Sequence, residues 1–174
     1  MIRTLLLDAD GHACLGGEEL IAHWREAADS RIWIDLQGES AAREHELLEA
    51  FGCHPMAIDD AQRDRHPPKI EEFDDHTLIL YRGISSFDDE LDYVPQQMAF
   101  LLGERFLLSL HPGRAMSVDR LFEREGQRLL GRSPEYVALR IMYTSAGFYL
   151  ESLLAFESQL SDLEDALTND GSDA

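Results

Sequence analysis

Apolar residues recur along this chain with two periods. Thr4–Leu7, Ile32–Leu36, Lys69–Phe73, Thr77–Ile84, Tyr93–Leu102 and Phe106–His111 carry β-branched, aromatic or leucine content bounded by turn residues, and read as strands. Within Ile32–Leu36, Ile32 and Ile34 lie opposite Trp33 and Asp35. Helical spacing places Leu20, Ile21, Trp24 and Ala28 on one face of Glu18–Ala28. Ser40 caps a predicted helix over Ala41–Phe51, which Gly52 stops. Pro55 suits the first turn of a helix over His54–Gln62, and Met116–Leu130 is one further helix. Asp74-Asp75 and Gly103-Glu104 read as tight hairpin turns and Ser85–Asp92 as a longer acidic turn, so three consecutive antiparallel strands lie on one side of the sheet.

The last segment has the longest pattern. After the cap Ser133 and Pro134, the residues Leu139, Met142, Ala146, Tyr149, Leu153, Phe156, Leu160, Leu163 and Leu167 alternate steps of three and four. That is a heptad seam. A helix from Pro134 to Thr168 is roughly 50 Å long, more than the domain needs. From Glu151 onward there are seven acidic residues and no basic one. The helix is expected to leave the globule and to need a partner for its seam, as in a chain cut in mid-protein. The division expected is 1–132 as an α/β domain and 133–174 as a long acidic helix and tail.

Charge narrows the function. Fifteen basic against 34 acidic residues leave −19, which argues against nucleic acid and against an anionic membrane surface, and favours cations. Two cysteines, Cys14 and Cys53, without C-x-x-C, point to a reducing compartment; both read as small core residues. No signal-peptide pattern opens the chain. No apolar run approaches the roughly 20 residues of a membrane helix.

Four ordered stretches carry a family resemblance: Trp33-Ile-Asp-Leu followed by the capped helix; Phe51-Gly-Cys-His-Pro-Met-Ala-Ile-Asp-Asp-Ala; Pro68-Lys-Ile-Glu with Phe73-Asp74 leading into Leu78–Tyr81; and the acidic Glu157–Leu167. Together they resemble the cytoplasmic part of the CorA-type magnesium channels. The resemblance implies an α/β/α sandwich with a mixed parallel and antiparallel sheet, followed by a long C-terminal helix that opens a helical hairpin. In the family a stalk, two membrane helices and a Gly-Met-Asn pore motif follow, and five copies assemble at the cytoplasmic face of the inner membrane. This chain is then expected to be a non-enzymatic regulatory and assembly domain, sensing magnesium between subunits, with cobalt or zinc as other family cargoes.

The resemblance also assigns a site. In the family a carboxylate near the loop after the second strand of the middle sheet holds a regulatory magnesium between subunits, and Asp88 or Asp89 aligns with it. Magnesium keeps several waters and takes one or two carboxylates, so a divided, weak site is natural. The plainer reading of Asp88–Asp92 is a solvated turn. His54, Asp59, Asp60, His66 and His111 lack zinc spacing; His54-Pro55 is expected to shape a helix start, Asp59 or Asp60 to pair with Arg63 or Arg65, and Lys69 to sit at a strand edge. Asp8-Ala-Asp10-Gly opens like the haloacid dehalogenase motif, with Asp8 as nucleophile and Asp10 as general acid. Its other parts are missing, and Asp8–Gly11 reads as a turn. An acidic oligomerisation module without specific metal affinity is the third alternative.

Overall fold

The computed structural model describes residues 1–87 and 93–170. The strands are β1 (Ile2–Leu7), β2 (Ala13–Gly16), β3 (Arg31–Gln37), β4 (Lys69–Glu72), β5 (Thr77–Phe87), β6 (Tyr93–Leu102) and β7 (Phe106–His111). The helices are α1 (Glu19–Glu26), α2 (Ala41–Ala50), α3 (Pro55–Gln62), α4 (Met116–Arg124), α5 (Gly126–Leu130) and α6 (Pro134–Asp170). The strands form one seven-stranded sheet in the order β2-β1-β3-β7-β6-β5-β4. β3 and β7 run parallel, and the other described pairings are antiparallel. The mixed α/β/α sandwich with a long final helix is therefore the architecture.

Strand alternation builds a core on each face. Ile32, Ile34, Leu36, Leu78, Leu80, Leu101 and Leu108 meet Leu47 and Leu48 of α2 and Ala57 and Ile58 of α3. Trp33, Phe100 and Leu107 point the other way, onto Val118 and Leu121 of α4, Leu129 and Leu130 of α5 and Val137 and Ile141 of α6. β7 is buried along its whole length because both layers cover it. The edge strands β2 and β4 have four residues each, and short edges limit unwanted strand pairing. Ser40 accepts a hydrogen bond from the Arg43 amide, and the Ser133 hydroxyl accepts one from the Tyr136 amide. Gly52, at φ +74°, ends α2 where a side chain would be strained.

Four expectations need correction. A hairpin strand, β2, follows β1, and it leaves Cys14 exposed; only Cys53 is a core residue, its thiol pushed up to about 12 by burial. Met116–Leu130 is two helices, broken at Glu125. There Gly126 lies so close to β1 that a Cβ would come 2.9 Å from a Leu5 methyl. β5 continues as strand to Phe87, with an irregularity between Ile84 and Ser86, so Ser85–Phe87 belong to a strand instead of a turn. The start of α6 buries Val137, Ala138, Ile141 and Ser145 instead of the seam, whose first member, Leu139, faces out.

Beyond its first turns α6 leaves the domain, as the heptad pattern implied. Leu150, Leu153, Leu154, Phe156, Leu160, Leu163 and Leu167 are all exposed, at 46–67%. One helix thus offers an internal control. Truncating the fully buried Ile141 to Ala should cost about 2–5 kcal/mol in urea unfolding. Phe156→Ala, measured on dilute protein, should stay within about 0.5 kcal/mol of the parent. Equal losses at both positions would show that the distal helix rests on the domain.

Candidate functional site

The polar centre of the domain is Asp35, in the middle of β3. Register explains its neighbours: Arg3 of β1 and Ser109 of β7 are its Cα partners on either side. The carboxylate is fully buried and accepts from Arg3 Nε at 2.8 Å, from Ser109 Oγ at 2.6 Å and from His111 Nε2 at 3.0 Å. Trp33 Nε1 donates to Ser109 Oγ at 2.9 Å, and the second arm of Arg3 reaches Asp119 of α4 at 2.5 Å. Every oxygen of Asp35 is satisfied, as a buried carboxylate requires.

The other nitrogen of His111 faces the Gly113 carbonyl at 2.5 Å. Both ring nitrogens therefore meet acceptors, an arrangement that favours the doubly protonated ring. Burial pushes the pKa of His111 down, but the hydrogen bond and charge of Asp35 outweigh it and hold the pKa above the ordinary value. For Asp35 burial pushes up, and His111, Arg3 and Ser109 together hold it below the usual carboxylate range. This is an internal ion cluster, closed to ligands. It ties β1, β3, β7 and α4 together.

The other sequence-predicted residues scatter. His54 caps α3, its Nδ1 accepting from the Met56 amide. Lys69, on the edge strand β4, bridges Asp60 at 2.6 Å and Glu71 at 2.5 Å, and His66 approaches Asp60 at 3.4 Å. Arg63 lies farther from Asp60, at 3.9 Å, so Lys69 is the main partner. The Lys69 hydrogen bond lowers the Asp60 pKa. His111 joins none of these. Asp88 and Asp89 lie outside the described residues; the strand ends flanking their segment, Phe87 and Tyr93, are paired.

Asp8 and Asp10 sit in the turn of the β1–β2 hairpin, where the Gly11 amide donates to the Asp8 carbonyl and the His12 amide to the Asp8 carboxylate. The turn reading of Asp8–Gly11 holds. Lys69, at the far edge of the sheet, is five strand spacings from β1, roughly 24 Å, and cannot serve Asp8. Asp8, Asp10 and His12 do place potential ligand atoms within 4.8 Å of one another, but all three are exposed and Asp8 is already engaged by His12. Among the described residues, no helix is long and apolar enough to cross a membrane.

A mixed seven-stranded sheet between two helical layers, extended by a projecting acidic helix, defines the class of domain. The chain belongs to the CorA-like Mg2+ transporter family, whose family model matches residues 28–174. It is similar to YfjQ, a candidate metal ion transporter of Bacillus subtilis (strain 168), at 23% identity over 138 residues, 77% of this chain and 41% of the relative. It is also similar to the cobalt/magnesium transport protein CorA of Methanocaldococcus jannaschii, at 21% over 140 residues, 78% and 43%. The chain thus spans less than half the length of these relatives. The soluble domain of CorA from Methanocaldococcus jannaschii superposes with a TM-score of 0.73 at 18% identity, over 95% of this chain and 64% of that one. The full-length CmaX protein gives 0.74 at 15%, over 93% and 50%.

The ion cluster predicts a pH dependence. Because the folded pKa of His111 is raised, its stabilisation is complete below the unfolded value of about 6.5 and is lost as pH rises through the folded pKa. Urea-unfolding stability should therefore fall between neutral and mildly alkaline pH, and His111→Gln should flatten that fall. Asp35→Asn should cost about 3–5 kcal/mol by leaving buried cations unpaired. An undiminished slope in His111→Gln would remove His111 from this role.

Proposed function

We propose that this chain is the regulatory and assembly domain of a divalent-cation channel, and that it holds magnesium between neighbouring copies at Asp88 and Asp89. The observation that carries the reading is α6, a membrane-incompetent helix that continues past its domain with a row of exposed leucines on an acidic surface. Such a surface stays unburied in one copy and repels a second until its charge is neutralised. Family membership supplies the cation, and the names of the relatives supply its kind, with cobalt beside magnesium. Zinc is a further candidate cargo. The assembly proposed is a homopentamer at the cytoplasmic face of the inner membrane.

The chemistry suits a sensor. One or two carboxylates with retained waters bind magnesium weakly and reversibly. Occupied, the ion removes repulsion between copies; vacated, the interface loosens. An acidic oligomerisation module without specific metal affinity is the second reading, supported by the same exposed row. Asp8 and Asp10 of the exposed hairpin turn give the phosphatase alternative no support, since Lys69 stands on β4 at the opposite side of the sheet.

Thermal unfolding separates the two surviving readings. A ligand at 100 times its dissociation constant adds about 2.7 kcal/mol, and each kcal/mol moves Tm by roughly 2–4 °C for a chain of this size. Millimolar magnesium should raise Tm by a few degrees more than sodium chloride at matched ionic strength, which controls for screening of the −19 charge. Replacing Asp88 and Asp89 together by Ala should remove that excess. A double variant that responds like the parent would leave the plain module standing.

A further inference from the structure

The geometry points to an acid-operated latch, in which protonation of His76 releases the N-terminus of α3 from the β4–β5 turn. Three rings stack there: His54 on Phe73 at 4.9 Å and Phe73 on His76 at 4.9 Å, with interplanar angles of 22° and 8°. Each histidine uses a ring nitrogen as an acceptor from a backbone amide. His54 Nδ1 accepts from Met56 N at 3.2 Å, closing the first turn of α3. His76 Nε2 accepts from His54 N at 3.2 Å, joining that cap to the turn closed by Phe73 N and the His76 carbonyl. Both bonds need a lone pair on the ring. A proton on either nitrogen replaces an acceptor by a donor facing a donor, and the bond is lost.

The surroundings set the direction. The groups facing His76 are His54 across the stack and Asp75 on its own turn. Its pKa is lowered, first by burial and then by His54, against Asp75. The N-terminus of α3 carries partial positive charge, which also opposes a cation at the cap. The latch therefore contributes stability above the unfolded value of about 6.5, and that contribution is lost as pH falls from there through the lowered folded pKa of His76. The other end of α3 does not depend on the latch: it stays pinned to β4 through Asp60 and Lys69. The released segment covers the sheet with Ala57 and Ile58, both buried.

Backbone hydrogen exchange on the whole chain reads the latch directly. Between about pH 7.5 and a pH below the lowered folded pKa of His76, the protection factor of the His54 amide should fall by about tenfold, the worth of one hydrogen bond. Core amides of β7 should keep theirs. His54→Asn with His76→Gln supplies uncharged acceptors in place of the two ring nitrogens, and Asn is itself a good helix cap. That double variant should hold its protection at both pH values. Unchanged protection in the parent, or an undiminished fall in the variant, would overturn the latch. Should the variant misfold, NMR titration of the two rings in the parent decides. Loss of the His54 amide bond in step with ring protonation supports the latch, and ring protonation with both amides unmoved rejects it.

Discussion

Asp35 is a carboxylate without water, and the middle of the domain is arranged around neutralising it. Burying one ion costs several kcal/mol unless its partners and geometry are complete. Here they come from two neighbouring strands and a helix: Arg3, Ser109, His111 and, through Arg3, Asp119. The parallel pairing of β3 with β7 sets Asp35 beside Ser109 and brings His111 within reach. A slip of one residue would turn Asp35 onto the aliphatic face of Ile32 and Ile34. The cluster specifies register as much as it stabilises, and it fastens α4, the support of α6, to the sheet.

That support matters because α6 serves two surroundings in turn. Its first turns are a core helix, with Val137 and Ile141 fully buried. Further on, the same helix exposes leucines at every turn among carboxylates. Apolar surface of this extent favours association, whereas the excess negative charge opposes it. In a domain with both features, the balance of these two terms decides whether copies associate.

Histidines are used in two opposite ways. His111 is enclosed by acceptors, which favour a proton on each nitrogen; His54 and His76 accept from backbone amides through a bare nitrogen. The same side chain therefore serves as a donor in the β7–α4 turn and as an acceptor at the α3 cap. Geometry at each ring, more than burial alone, decides which.

Local signals in the sequence determined most elements, because capping, turn chemistry and apolar period act within a few residues. Ser40 and Gly52 around α2, Ser133-Pro134 before α6, and the alternation Ile32, Trp33, Ile34, Asp35 are examples. The heptad row of α6 likewise announced a surface that the domain does not cover. Long-range contact decided the remainder. A glycine stands at 126, just past the break, because Leu5 lies against it; Cys14 is exposed because β2 forms the sheet edge, and the domain-facing stripe of α6 arises because α4 and the sheet meet Val137 and Ile141 rather than Leu139. Asp35 looked like an ordinary polar position in its strand. Its role arose only when pairing brought in residues 74 and 76 positions away along the chain, a meeting that no local pattern encodes.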